Sequence, residues 1–415
     1  MTEEAIAPLE PRDGVPGVIT EPAELRAYSD RLRAGTGPLA LDAERASGYR
    51  YSQRAYLVQL RRVGAGTALV DPIAVPDLAP VQEATADVEW ILHAATQDLA
   101  CLEDVGLRPS SLFDTELAGR LLGRERVSLA ALVLSELGEV LEKGHGATDW
   151  SVRPLTAAQL RYAALDVELL IELRDSLARS LEEAGKADIA REEFDALLSF
   201  EPRERGEEEW RRTSGIHRVR KPRELALVRA LWLARDEIAR SRDVAVGRLL
   251  PDASIIAAAR AGLTSMDQLG ALKEFHGRGA DRYLRRWWTA MSEAYALPDD
   301  ELPASASRPS GPPPPRSWAD RDPEAFARLS AARTGLADIA EQMDLPVENL
   351  LQPDAVRRLC WSPPEGHDPD DVAGMLRGLG AREWQIAATL DCLCAAVEAT
   401  PDDASDTGEP VPTRE

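Results

Sequence analysis

Asp42 and Glu44 in Leu41-Asp42-Ala43-Glu44, Asp98 closing the run HAATQD (93–98), Asp149 in Thr148-Asp149-Trp150, and Tyr162 with Asp166 in RYAALD (161–166) are the residues whose types and spacing could do chemistry. Asp42 and Glu44 stand two apart on an expected strand, so both carboxylates leave the same face. Close carboxylates repel each other, and a divalent cation relieves the repulsion. Asp98 follows a strand candidate near the first turn of a helix, where an Asp is ordinarily a cap or dipole partner. His93, at the strand end, reads as a packing residue rather than a ligand. Tyr162 and Asp166 are four apart on an expected helix and share a face, which would let the phenol position a water beside a metal held by Asp166. Four carboxylates (Asp42, Glu44, Asp98, Asp166) and one phenol suit two hard divalent ions, Mg²⁺ or Mn²⁺. One ion would aim a hydroxide and the other would stabilise a departing 3′ oxygen. Five histidines with no clustered pair leave little room for zinc chemistry. The sequence also lacks a Gly-x-Ser-x-Gly elbow and a Gly-Lys-Thr phosphate loop, which weakens esterase and NTPase readings.

These side chains need a scaffold. Residues 22–33 predict a short helix. Residues 38–42, 55–60 and 67–71 predict three strands in a meander, turned at Val63-Gly64-Ala65-Gly66. Residues 90–93 and 111–114 add a fourth and a fifth strand, with a helix over 98–105 between them. Residues 155–184 have helical periodicity, opened by Thr156 as N-cap. Strands followed by alternating elements imply a mixed sheet flanked by helices. Beyond about residue 201 strand signals stop. Residues 222–296 read as several short amphipathic helices, broken near Pro251-Asp252 and at Gly262, Gly277 and Gly279. Residues 302–317, rich in Pro and Ser, read as an exposed linker. Residues 322–399 are helical again, and 401–415 form an acidic tail expected to stay disordered.

The chain has 415 residues, 44% hydrophobic and 29% charged, enough for two or three domains with real cores. No apolar run approaches the roughly 20 residues of a membrane span. The acidic start Met1-Thr2-Glu3-Glu4 is unlike a secretory signal, so the expected location is cytoplasmic. Cys101, Cys360, Cys392 and Cys394 fit neither a disulfide framework nor a zinc site. A net charge of −22 argues against nucleic-acid binding only on average, because phosphates respond to local patches. Arg211, Arg212, Arg218, Arg220, Lys221 and Arg223 form such a patch.

The segments LALDAE, ILHAATQDLACL, LFDTELAGRLLG and TDWSVRPLTAAQLRYAALDVELL, across about residues 35–180, resemble ribonuclease D and its relatives, the DEDDy 3′→5′ exonucleases. The resemblance implies an RNase H-like α/β fold with a mixed five-stranded sheet. It implies Asp42, Glu44, Asp98 and Asp166 as metal ligands, Asp42 bridging, with Tyr162 orienting the attacking water. Residues 222–296 are similar to an HRDC domain, and the last helical block to a second, degenerate HRDC-like domain. Gln97, before Asp98, stands where proofreading relatives carry an aromatic. The expected organisation is an exonuclease domain (1–200), an HRDC domain (215–297), a Pro-rich linker (298–320), an HRDC-like domain (321–400) and an acidic tail (401–415). The expected activity is 3′ trimming of structured RNA such as tRNA precursors, releasing nucleoside 5′-monophosphates. The helical modules would hold substrate by backbone charge and by Trp232, Trp287 or Trp288, an aromatic there being more often core. The expected protein is a monomer. Two other readings are single-stranded DNA as the substrate, since nothing in the sequence reads a 2′-hydroxyl, and a non-catalytic nucleic-acid-binding scaffold.

Overall fold

A computed structural model of the chain describes residues 9–141, 144, 146–203, 205–305 and 311–401. The predicted tail lies outside them, apart from its first residue. Six strands form one sheet: β1 (Val18–Ile19), β2 (Thr36–Arg45), β3 (Ala55–Val63), β4 (Gly66–Val70), β5 (Trp90–Leu92) and β6 (Leu112–Asp114), in the order β1-β4-β3-β2-β5-β6. β2, β3 and β4 are the antiparallel meander, while β5 and β6 add in parallel beyond β2. The meander turns where Gly64 and Gly66 both adopt positive φ, at 86° and 75°, which only glycine takes without cost. The sequence predicts five strands. The sixth, β1, is a two-residue parallel addition to β4, too short to give an alternating pattern and set among Pro and Gly.

Alternation along β2 sorts its side chains between two cores. Leu39, Leu41 and Ala43 pack with Leu25, Tyr28 and Leu32 of helix α1 (Pro22–Ala34). Ala40 packs on the opposite face with Ile91, Phe113, Leu165 and Leu173. Asp42 and Glu44 continue the Ala40 face, so they point toward the helices that follow the sheet. Those helices are α2 (Thr115–Leu121), α3 (Ala157–Glu168), α4 (Leu170–Glu183) and α5 (Ala187–Leu197). The single helix predicted over 155–184 is two, because Leu169 leaves helical geometry at φ −112° and ψ 5°. Leu169 is itself buried, so both helices stay on the sheet.

The rest of the chain is helical and has its own cores. In the first module, α6 (Pro222–Arg242) runs 21 residues, longer than the short helices predicted, and is followed by α7 (Val246–Leu249) and α8 (Leu284–Ala296). Trp210, Leu231, Ile255, Phe275, Trp287 and Met291 fill this core. Trp287 is fully buried, and Trp232 and Trp288 pack partly buried against the same cluster. In the second module, α9 (Pro323–Gln342) packs on α10 (Glu383–Val397) around Trp318, Leu329, Leu336 and Leu393. Trp318 corrects the linker expectation: it is buried, and its indole donates to the Pro313 carbonyl at 2.7 Å. The proline run therefore ends as a collar on this core.

Both modules touch the sheet domain. Lys186 donates to the carbonyls of Leu121 and Asp344, and Glu193 accepts from the Trp384 indole at 2.8 Å. The first module meets the β2–β3 loop, where Tyr51 donates to Asp236 at 2.8 Å and Asp243 accepts the Ser52 amide at 2.9 Å. Among the described residues no helix is long and apolar enough to cross a membrane.

Candidate active site

A cleft of about 720 Å³ opens at the C-terminal end of β2. Asp42, Glu44, Asp98, Tyr162 and Asp166 all line it. One carboxylate oxygen from each of Asp42, Glu44 and Asp166 lies within 4.8 Å of the other two. Asp98 stands beside this trio, its carboxylate 3.8 Å from the Arg45 guanidinium. Asp98 sits at a helix start but makes no capping hydrogen bond, so the ordinary role of an Asp there does not explain it.

Local rules place each group. The last turn of β2 delivers Asp42 opposite Gln59 and Glu44 opposite Leu57. Asp166 and Tyr162 ride on α3, which a capping box starts: the Thr156 hydroxyl accepts the Gln159 amide, and the Gln159 side chain accepts the Thr156 amide. The Tyr162 hydroxyl bonds the Asp166 carboxylate, and Trp150 packs 6.4 Å from the Tyr162 ring. Asp149 stays out of the cleft lining, where its carboxylate accepts from the backbone and side chain of Ser151 in a tight turn. His93 lines the cleft and meets the Thr115 hydroxyl at 2.9 Å; burial lowers its pKa to about 4, leaving a neutral ring.

The electrostatics are those of a cation site. Burial, then mutual repulsion, raises Glu44, Asp98 and Asp166 above the ordinary carboxylate range, and burial raises Asp42. Among the described residues, the four crowded carboxylates have one nearby guanidinium, Arg45. Hard divalent cations fit this donor set of clustered anionic oxygens. Tyr162 is also raised by burial and by Asp166, so it stays a protonated phenol at neutral pH.

Three supporting residues escaped the sequence reading. Gln59, a buried polar residue inside an apolar strand, donates to Asp42 at 3.2 Å. Arg45 holds Asp98. Asp114, at the end of β6, accepts the amides of Ala94, Ala95, Glu116 and Leu117 at 2.8–3.2 Å. It thereby fixes the left-handed Ala94 turn that leads to Asp98 and the start of α2. A polar residue inside an apolar run and an Asp at a strand-to-helix junction were the available signals.

The basic stretch divides. Arg211 stacks 4.3 Å above the Trp210 ring and pairs with Glu208; Arg212 pairs with Glu209 and Lys221 with Glu224. Arg223 donates to the carbonyls of Ala294, Tyr295 and Leu297 and pairs with Asp299. Arg218 and Arg220 are exposed and have no ion pair among the described residues.

A mixed sheet presenting clustered carboxylates opposite a Tyr-bearing helix defines a metal-dependent 3′→5′ exonuclease. The family model described as "3'-5' exonuclease" matches residues 16–182, that described as "HRDC domain" matches 224–291, and that described as "3' to 5' exonuclease C-terminal domain" matches 311–397. Ribonuclease D of Pseudomonas paraeruginosa is 32% identical over 364 residues, covering 86% of this chain and 92% of its own. The crystal structure of a protein from Bifidobacterium adolescentis superposes with a TM-score of 0.87 at 39% identity, covering 95% of this chain and all of its own. That of Escherichia coli RNase D, titled "an exoribonuclease involved in structured RNA processing", gives 0.65 at 25% identity over 90% and 98% of the two chains. The chain belongs to the ribonuclease D family. It is a divalent-metal-dependent 3′→5′ exoribonuclease.

Proposed function

We propose that this exoribonuclease trims structured RNA with tRNA-precursor-like 3′ ends, releasing nucleoside 5′-monophosphates one at a time. The observation that carries the site assignment is the convergence of Asp42, Glu44 and Asp166 within 4.8 Å, beside Asp98 and Tyr162. In this reading Asp42, Glu44, Asp98 and Asp166 would hold two divalent ions, Mg²⁺ or Mn²⁺, Asp42 being the central ligand of the set. Bound there, such ions supply an activated water and charge stabilisation for the departing 3′ oxygen. Tyr162, fixed by its bond to Asp166, offers a hydroxyl that orients the attacking water. Gln59 keeps Asp42 in one rotamer, and Arg45 keeps Asp98 turned toward the cleft. The substrate class is supported by the stated role of the E. coli relative in structured RNA processing. The exonuclease domain (1–200) does the cutting in this scheme. The helical modules (215–297 and 321–400) contribute backbone contacts, in which Arg218 and Arg220 are the members of the basic stretch left open to phosphate. The protein acts as a monomer in the cytoplasm, and its four free cysteines suit that reducing compartment.

The test uses purified protein with 3′-labelled RNA and DNA of one sequence, with Mg²⁺, Mn²⁺ or EDTA. Labelled mononucleotide released from RNA, abolished by EDTA, is the expected result. Release from DNA alone moves the substrate to single-stranded DNA, and binding without release under every metal condition leaves a scaffold.

A further inference from the structure

The mouth of the cleft is built partly by a residue that the helical module holds. The β2–β3 loop carries Ser47, Gly48 and Tyr49 into the cleft lining, opposite Gly146, Ala147 and Thr148. Tyr49 spans the two walls, its hydroxyl donating to the Ala147 carbonyl at 3.4 Å, and the neighbouring Arg50 donates to Ser151 at 2.8 Å. On its outer side the loop is gripped by the first helical module. Arg248 of α7 lies 4.0 Å over the Tyr49 ring and donates to the Gly48 carbonyl at 2.8 Å, while the Ala245 amide donates to the Tyr49 carbonyl at 3.0 Å. Asp243, in left-handed conformation at the end of α6, accepts from Ser52 and the Tyr56 hydroxyl and pairs with Arg54.

These contacts are too many and too directed for a passive tether. A guanidinium stacked on an aromatic while donating to the adjacent carbonyl fixes both ring and backbone, and a lysine cannot reproduce the pair. Arg248 itself does not line the cleft; it reaches the reaction through the Tyr49 ring and the adjoining Gly48 carbonyl, both parts of the cleft wall. The segment that Tyr49 braces (146–151) leads to Trp150, which packs against the water-positioning Tyr162.

We propose that Arg248 is a positioning residue for exonucleolysis: the first helical module, through Arg248 on Tyr49, sets the width of the catalytic mouth and so the seating of the 3′-terminal nucleotides. The module then tunes turnover as well as holding RNA. This rests on the exonuclease reading above.

The experiment is a double-mutant cycle on the full chain, with a six-nucleotide single-stranded RNA and Mn²⁺. Arg248→Ala and Tyr49→Leu should each lower kcat about tenfold, with KM changed less than about twofold. The double variant should be no worse than the poorer single, because both break the same Arg248–Tyr49 brace. Arg248→Lys should stay as low as Arg248→Ala. Melting temperature and Mn²⁺ affinity should match wild type in the Arg248 variants, Arg248 being exposed. The proposal is overturned if Arg248→Ala keeps wild-type kcat, if its loss lies in KM, if losses multiply in the double variant, or if lysine restores activity. Inactive wild type would instead overturn the exonuclease reading.

Discussion

At the scale of residues, the site is a set of acids kept apart in sequence and forced together by the fold. Tyr162→Phe should lower kcat about a hundredfold, the cost of a misplaced water, with Mn²⁺ affinity retained; an unchanged kcat by single-turnover assay removes the role given to that hydroxyl. Asp42 rises to about 6 and Glu44 to about 10 through burial, so without metal the folded cluster binds protons that the unfolded chain has released above pH ~4. A raised folded pKa gives stability present below the unfolded value and lost as pH rises through the folded one. In EDTA the melting temperature should therefore fall between pH 5 and pH 8, and Mn²⁺ should restore more at pH 8 than at pH 5. A metal effect that shrinks with pH, seen by calorimetry, contradicts the cluster's electrostatics. Asp71, lowered by Arg153 in spite of burial, acts in the opposite sense but only in acid. The carboxylate pair and the Tyr162–Asp166 pair were legible because each obeys a local period of two or four. Gln59, Arg45 and Asp114 were not, because what they do depends on partners brought near by pairing between distant strands.

At the scale of elements, α3 is the part whose placement matters most, since it carries both Tyr162 and Asp166. Its capping box was readable at Thr156, and Thr156→Ala should cost about 1 kcal/mol of stability by chemical denaturation; no change would mean that packing alone starts the helix. The break after Glu168 was invisible because Leu169 is apolar on both readings, and only a buried contact distinguishes a kinked pair from one helix. The three long meander strands announced themselves by apolar runs and a glycine turn. β1 did not, because two residues carry no period, and its pairing comes from β4 offering an open edge. Trp318 was hidden within a composition that signals linker, because a tract of prolines says nothing of where its last residue docks.

At the scale of the whole molecule, the proposed grip of a chain of net charge −22 on RNA relies on a few exposed cations and on divalent ions among its acids. Four of the six basic residues are engaged internally: Arg211, Arg212 and Lys221 pair with acids three residues away, whereas Arg223 meets Asp299 and the Leu297 carbonyl more than 70 residues away, a partnership no local pattern displays. Arg218→Ala and Arg220→Ala should each reduce the slope of log affinity against log salt by roughly 0.7–0.9, as loss of one phosphate contact requires. An unaltered slope in filter binding would assign the grip to other residues. The cores on both faces of the sheet, the core of each helical module and the contacts of both modules with the sheet domain make the molecule one assembly around the cleft. The most direct measurement is anomalous scattering from a crystal grown with Mn²⁺. Peaks should lodge among the carboxylates of Asp42, Glu44, Asp98 and Asp166; a map with those oxygens ordered and no peak between them would contradict a metal-dependent site there.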